Sequence, residues 1–235
     1  MPDWKSIFVR FRRILIRVSI WFFAISIGSV LILRFVPVPF TPLMLIRLAE
    51  QGFGDKELKL YKDWTSVEEL GPLLPAAVIA AEDQKFEEHS GFDFDAIRKA
   101  QQYNERHKGR KVKGASTISQ QTAKNVFLWP SRSWIRKGFE VYFTFLIELF
   151  WSKERIMEVY LNVIETGDGI YGMQAAAVSY FHKPAARLSA KEAALIAAVL
   201  PNPRRWRPDR PSAYISRKAS RIRNYMNGID FGESD

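Results

Sequence analysis

From Val18 to Leu33 the chain runs without a single charged residue, and arginines close the run at both ends, Arg17 and Arg34. A helix needs about 20 apolar residues to cross a bilayer's hydrocarbon, and terminal arginines can extend their heads to the interface, so residues 14–36 are predicted to span a membrane. The segment that follows, RFVPVPFTP, offers no small-x-small cleavage pattern, which favours a retained anchor over a cleaved leader. Arg10, Arg12, Arg13 and Arg17 precede or open the span. By the positive-inside tendency, residues 1–13 form a cytoplasmic basic tail and everything after Val36 lies outside. Pro37, Pro39 and Pro42 then stiffen the exit, because each fixes φ and restricts the residue before it. Residues 37–60 therefore read as a Pro-rich spacer and membrane-proximal segment, with Leu43 to Leu48 as a short helix lying on the bilayer. Residues 61–235 are left as one folded domain.

The 235 residues suffice for one sizeable domain and an accessory segment, and 47% hydrophobic and 14% aromatic content supports a real core. The net charge is +10, half of it within residues 1–36. The remainder clusters at Arg106 to Lys113 and Arg204 to Arg223. Such runs invite a nucleic-acid reading, but a solvated surface is the commoner explanation, and no nucleic-acid partner is expected. With no cysteine, disulfides, thiolate nucleophiles and cysteine metal sites are excluded. His89, His107 and His182 show no metal-ligand spacing, so no metal site is expected; Gly167-x-Gly169 does not open a strand-to-helix phosphate turn.

Two stretches carry the chemistry. Pro75 to Ile97 reads PAAVIAAEDQKFEEHSGFDFDAI: a tight helix-forming apolar lead-in ends abruptly in Glu82 and Asp83. Two adjacent charges cannot be buried without cost, so the pair should emerge at an edge or into a cleft, where a glutamate can serve as a base. If the helix continues, Glu82, Phe86 and His89 share one face. Gly114 to Asn125 reads GASTISQQTAKN, a series of hydroxyls and amides that makes a poor core and offers donors for sugar hydroxyls or phosphate oxygens. Elsewhere the pattern is helical. Val141 to Trp151 is apolar except for Glu148 and too short to cross a bilayer, so it is either a core helix or one partly facing lipid. Trp129, Trp134, Trp151, Arg132, Arg136 and Lys137 around it are the mixture found at headgroup interfaces. Arg155 to Gly167 places Ile156, Val159, Tyr160 and Val163 inward, and Met173 to Tyr180 and Ala190 to Leu200 are small-residue helices.

In order, EDQKFEEHSGFD, GASTISQQTAKN, RKGFE at 136–140, RIMEVYLNVIETG at 155–167 and KEAALIAAVLPNP at 191–203 resemble the motifs of the bacterial peptidoglycan glycosyltransferases. The resemblance covers about Tyr61 to Arg223, with Tyr61 to Trp64 at the domain's entry. It is closest to the monofunctional biosynthetic type, which lacks a transpeptidase domain; Ser119, where threonine is frequent, is a minor departure. It implies a mainly α, lysozyme-like, two-lobed domain in the periplasm, behind one inner-membrane helix. The implied reaction joins lipid II units into β-1,4-linked glycan with inversion, releasing undecaprenyl pyrophosphate. No cofactor is obligatory, although a divalent cation such as Mg2+ is compatible. The implied partners are lipid II, the growing glycan chain, the inner membrane and cell-wall synthesis or division proteins.

Residue by residue, Glu82 matches the catalytic base, and Glu140 the second acidic position on the donor or pyrophosphate side. Lys124, Arg132, Arg136 and Lys137 match basic positions that would offset leaving-group charge. Asp83 is left with three roles: positioning Glu82, raising its pKa by like charge, or holding a divalent ion. Phe86, His89, Ser116, Thr117, Gln120, Gln121 and Asn125 match positions with binding or architectural roles, and for His89 a structural hydrogen bond is favoured. Two carboxylates flanking a sugar bond would also serve a hydrolase. The lysines and arginines argue against that, since a neutral leaving sugar does not require them. A non-catalytic membrane adaptor is disfavoured by the presence of both acids.

Overall fold

The structure is a computed structural model that describes residues 4–54, 57–107, 112–131, 133–229 and 231. It divides at Val36/Pro37 into two units. The first is a single helix, α1 (Trp4–Leu33), whose residues Ile7–Leu33 are long and apolar enough to cross a membrane. The basic stretch from Arg10 to Arg17 belongs to the same continuous helix.

The second unit is mainly α-helical. It opens with α2 (Pro42–Gly52), capped by Thr41, whose hydroxyl accepts from the Met44 amide, and started by Pro42 at the first helical position. There follow α3 (Val67–Leu70), α4 (Leu73–Glu82), α5 (Phe94–Arg106), α6 (Ile118–Phe127), α7 (Trp134–Phe150), α8 (Lys153–Val163), α9 (Met173–Phe181), α10 (Ala190–Val199) and α11 (Ala213–Met226). Ser or Thr side chains at 66, 117, 133, 152, 189 and 212 accept the first free amides of α3, α6, α7, α8, α10 and α11. The only sheet among the described residues is small: β1 (Tyr61–Lys62) lies parallel to β3 (Ile170–Tyr171), which pairs antiparallel with β2 (Glu165–Gly167). Strands of two or three residues are too short to show alternation, which is why the sequence reads as helix alone.

Two groups of helices frame the site. In one, α4 packs against α10 and α11; in the other, α6 packs against α7 and α8. The first depends on small side chains: Ala76, Ala77 and Ala80 face a partner helix in which Ala193, Ala194, Ala197 and Ala198 are buried, allowing close backbone approach. At the centre of the second, α8 buries Ile156, Met157, Val159, Tyr160, Leu161 and Val163, more than one stripe, because helices or chain cover it on several sides. Apolar on nearly all sides, α7 splits by exposure. Phe143, Leu146 and Ile147 are buried, whereas Trp134, Val141, Phe145 and Leu149 face outward. One face of α7 is therefore core and the other an exposed apolar stripe.

Candidate active site

Glu82 is the last residue of α4, and the helix ends there. Asp83 leaves the helical region at φ −160°, ψ 79°. Its buried carboxylate accepts the Ile118 amide at the start of α6 (3.0 Å) and His89 Nε2 (3.0 Å to each oxygen). The shared face expected for Glu82, Phe86 and His89 therefore does not form. An interaction 35 residues distant competes for Asp83 and outweighs one more helical turn. His89 Nδ1 accepts the Gly91 amide (3.2 Å), so the ring is the tautomer that donates from Nε2 to Asp83. Phe86 points into the core, fully buried beneath the Lys153 ammonium, which sits 4.7 Å from the ring centroid.

Gly91 shows why this turn is fixed. Its φ is +87°, and a Cβ there would lie 2.9 Å from Glu148 Cγ and from Thr144 Cγ2 on α7. Its carbonyl accepts from Thr117 Oγ1 (2.7 Å). Lys153 Nζ donates to the His89 carbonyl (2.5 Å) and to Glu148 (2.9 Å), and the Ser119 hydroxyl also reaches Glu148. The hydroxyls and amides of 114–125 are thus mostly spent inside the protein. Thr117 and Gln120 close a reciprocal capping box, and Thr122 donates to the Ile118 carbonyl. Gln120 and Asn125 are buried, and Asn125 Nδ2 has no hydrogen-bond partner among the described residues. This segment does join the core after all, because most of its hydroxyls and amides find partners there. Ser116, Gln121 and Lys124 remain turned outward or part-buried.

Gln121 Nε2 donates to Glu82 Oε2 at 3.0 Å. Burial raises the Glu82 carboxyl above its ordinary range, opposed by the Gln121 hydrogen bond and by the Lys218 and Lys124 ammoniums; neighbouring Asp83 adds a smaller upward push. Lys124 is one turn along α6 and faces both Glu82 and Glu140; burial lowers its pKa. Glu140 itself is 4% exposed and closed by two cations on its own helix, Arg136 Nη1 at 2.6 Å and Lys137 Nζ at 2.5 Å. The guanidinium is fixed further by Nε donating to the Ser131 carbonyl at 2.6 Å. Arg132 lies outside the described residues, as do 108–111 of the basic run.

Two clefts meet at this point. One of about 340 Å³ contains Glu82, Lys85, Lys99 and Ser116; the other, of about 660 Å³, contains Ile97, Asn104, Gln120 and Lys137, and Ser116 borders both. No group of three or more His, Asp or Glu side chains among the described residues is arranged to hold a metal ion.

Lys218 is the residue that sequence reasoning missed. It reaches the Glu82 side from α11, donates to the Ala198 carbonyl (3.1 Å), and has its pKa lowered by burial. The signal was present: on α11 the buried positions are Ile215, Ala219, Ile222 and Met226, and Lys218 falls on that stripe.

A sequence model of the family described as Transglycosylase matches residues 52–227. The chain is 57% identical over 213 residues to the biosynthetic peptidoglycan transglycosylase of Bdellovibrio bacteriovorus, covering 91% of this chain and 84% of that protein. It is 58% identical over 209 residues to the protein of that name from Bacteroides thetaiotaomicron (88% and 83% covered), and 55% over 217 to that of Pseudomonas entomophila (92% and 91%).

Proposed function

The chain belongs to the transglycosylase family, and we propose from that premise that it is a peptidoglycan glycosyltransferase joining lipid II into β-1,4-linked glycan, with Glu82 as general base. The observation that carries the reading is a division of charge. A desolvated carboxylate with one hydrogen-bond donor opens on one cleft, while the Lys137 ammonium, held with the Arg136 guanidinium on a buried glutamate, lines the other. Displacement at an anomeric carbon with a pyrophosphate leaving group needs both halves: a base at the attacking hydroxyl and positive charge at the departing oxygens.

Glu82 takes the proton of the acceptor's 4-hydroxyl as that oxygen attacks the donor's anomeric carbon, inverting it. Raising a buried carboxyl toward neutrality brings its basicity closer to what proton transfer needs. Lys124, Arg136 and Lys137 receive the charge that builds on the pyrophosphate. Glu140 has both oxygens engaged by Arg136 and Lys137, so it acts as the orienter of those cations and not as a second base. Of the roles open to Asp83, positioning is best supported. Its oxygens are committed to Ile118 and His89, tying the end of α4 to the start of α6. The reaction has no obligatory metal; a divalent cation such as Mg2+ would assist only at the pyrophosphate.

The apolar part of α1 anchors the protein in the inner membrane, with the basic residues 1–13 in the cytoplasm and the catalytic unit in the periplasm. The outward stripe of α7, Trp134, Val141, Phe145 and Leu149, meets the lipid surface from which a polyprenyl-linked substrate is drawn. Incubating the detergent-solubilised full chain with lipid-linked disaccharide, with and without chelator, tests the assignment. Polymer in both samples is the expected result. Shortening of preformed glycan without extension of lipid-linked units would make the protein a hydrolase.

A further inference from the structure

The contacts behind Glu82 continue past Gln121 into the core. Tyr160, on α8, is fully buried, and its hydroxyl donates to Gln121 Oε1 at 3.4 Å while Gln121 Nε2 donates to Glu82. A tyrosine buried where phenylalanine would fill the same volume carries a hydroxyl that must find a partner, so its presence calls for a reason. A glutamine amide can turn over with almost no change of shape, exchanging a donor for an acceptor. Facing an ionised carboxylate, only the nitrogen is favourable. Tyr160 has no other acceptor among the described residues, so turning the amide over would also strand the hydroxyl proton in the core.

We propose that Tyr160 is a positioning residue: through Gln121 it holds the one hydrogen-bond donor that the described residues present to Glu82, and so keeps that carboxylate ionised and aimed at the acceptor. The inference rests on the reading of Glu82 as base. The groups facing Glu82 are Gln121 and Lys124 from α6, Lys218 from α11, Asp83 beyond the end of α4, and Tyr160 from α8. The lysines supply charge, and no hydrogen bond joins either of them to Glu82 among the described residues. Gln121 is the directional contact, and Tyr160 is what fixes its direction. Tyr160 also cannot substitute as a base at neutral pH. Burial, with Glu82 and Asp83 adding to it, lifts its own ionisation well above the usual tyrosine range.

The test is the pH dependence of kcat/KM for the detergent-solubilised full chain acting on lipid-linked disaccharide, measured for wild type, Tyr160→Phe, Gln121→Met, their double variant and Glu82→Gln. Tyr160→Phe should move the acid limb upward by about half to one pH unit, the effect of one lost hydrogen bond on a carboxylate, and lower the plateau by far less than Glu82→Gln does, with the thermal midpoint close to wild type. Gln121→Met should move the limb at least as far, and the double variant no further, because the tyrosine acts only through the amide. An unmoved limb in Tyr160→Phe beside an inactive Glu82→Gln overturns this inference and leaves the base assignment standing. Shifts that add in the double variant also overturn it. Should Tyr160→Phe fail to fold, an unmoved limb in Gln121→Met overturns it equally. An active Glu82→Gln instead removes the base assignment and this inference together.

Discussion

The two carboxylates at the site differ in how far the protein has satisfied them. Glu140 is sealed from solvent with a cation on each oxygen, both supplied by its own helix at i−4 and i−3. Glu82 sits at a helix end in a cleft, with one amide donor, two lysines facing it without bonding and an acid beside it. A carboxylate with a cation on each oxygen works by holding those partners in place. An undersatisfied one keeps a lone pair free for a substrate hydroxyl. The same side chain thus becomes scaffold or base according to its neighbours.

The sharpest way to break that comparison is to remove each acid. Glu82→Gln keeps size and hydrogen bonding but loses the base, so polymerisation should fall by at least about 10²-fold with substrate binding retained. Its stability should move the other way. A carboxyl whose pKa is raised by folding stabilises the native state below its unfolded pKa, and that contribution is lost as pH rises through the folded value. At neutral pH, Glu82→Gln should therefore unfold at the same temperature as wild type or higher. Glu140→Gln strands a guanidinium and an ammonium, both less than half exposed. It should cost about 1–3 kcal/mol in thermal unfolding and raise KM more than it lowers kcat.

How much of this was legible depended on range. The alanine helix α4 and the inward face of α8 follow local rules, and those rules placed them; the hydroxyl caps at 66, 117, 152 and 189 are equally local but were not read. The i−4 and i−3 spacing of Arg136, Lys137 and Glu140 is also visible in RKGFE, although its burial is not. What failed was non-local. The stop after Glu82 depends on Asp83 finding Ile118, and the inward turn of 117–125 depends on Gly91 and Glu148 being there to receive its hydroxyls, with Lys153 holding Glu148. No window around either stretch contains those partners. Lys218 was missed for a simpler reason: a lysine on an apolar stripe in an arginine-rich helix was read as part of the basic run.

Smaller effects sharpen the contrast between anchor and base. Gly91→Ala forces a left-handed residue against α7 and should cost about 1–2 kcal/mol; it should lower activity without shifting the acid limb, since it loosens the Asp83 turn and leaves Gln121 in place. Smallest of all is the outward stripe. A chain of residues 37–235 should sediment with anionic vesicles at low salt, and Phe145→Ser with Leu149→Ser should release it while stability changes by less than about 0.5 kcal/mol.

The central claim, that Glu82 and not Glu140 takes the proton, is tested most directly by the acid limb of kcat/KM for lipid-linked substrate in wild type and Glu140→Gln, beside the residual activity of Glu82→Gln. A limb above the ordinary glutamate range that persists unchanged in Glu140→Gln and disappears from the residual activity of Glu82→Gln is the predicted result. A limb that vanishes with Glu140 while Glu82→Gln polymerises at the wild-type rate would contradict it.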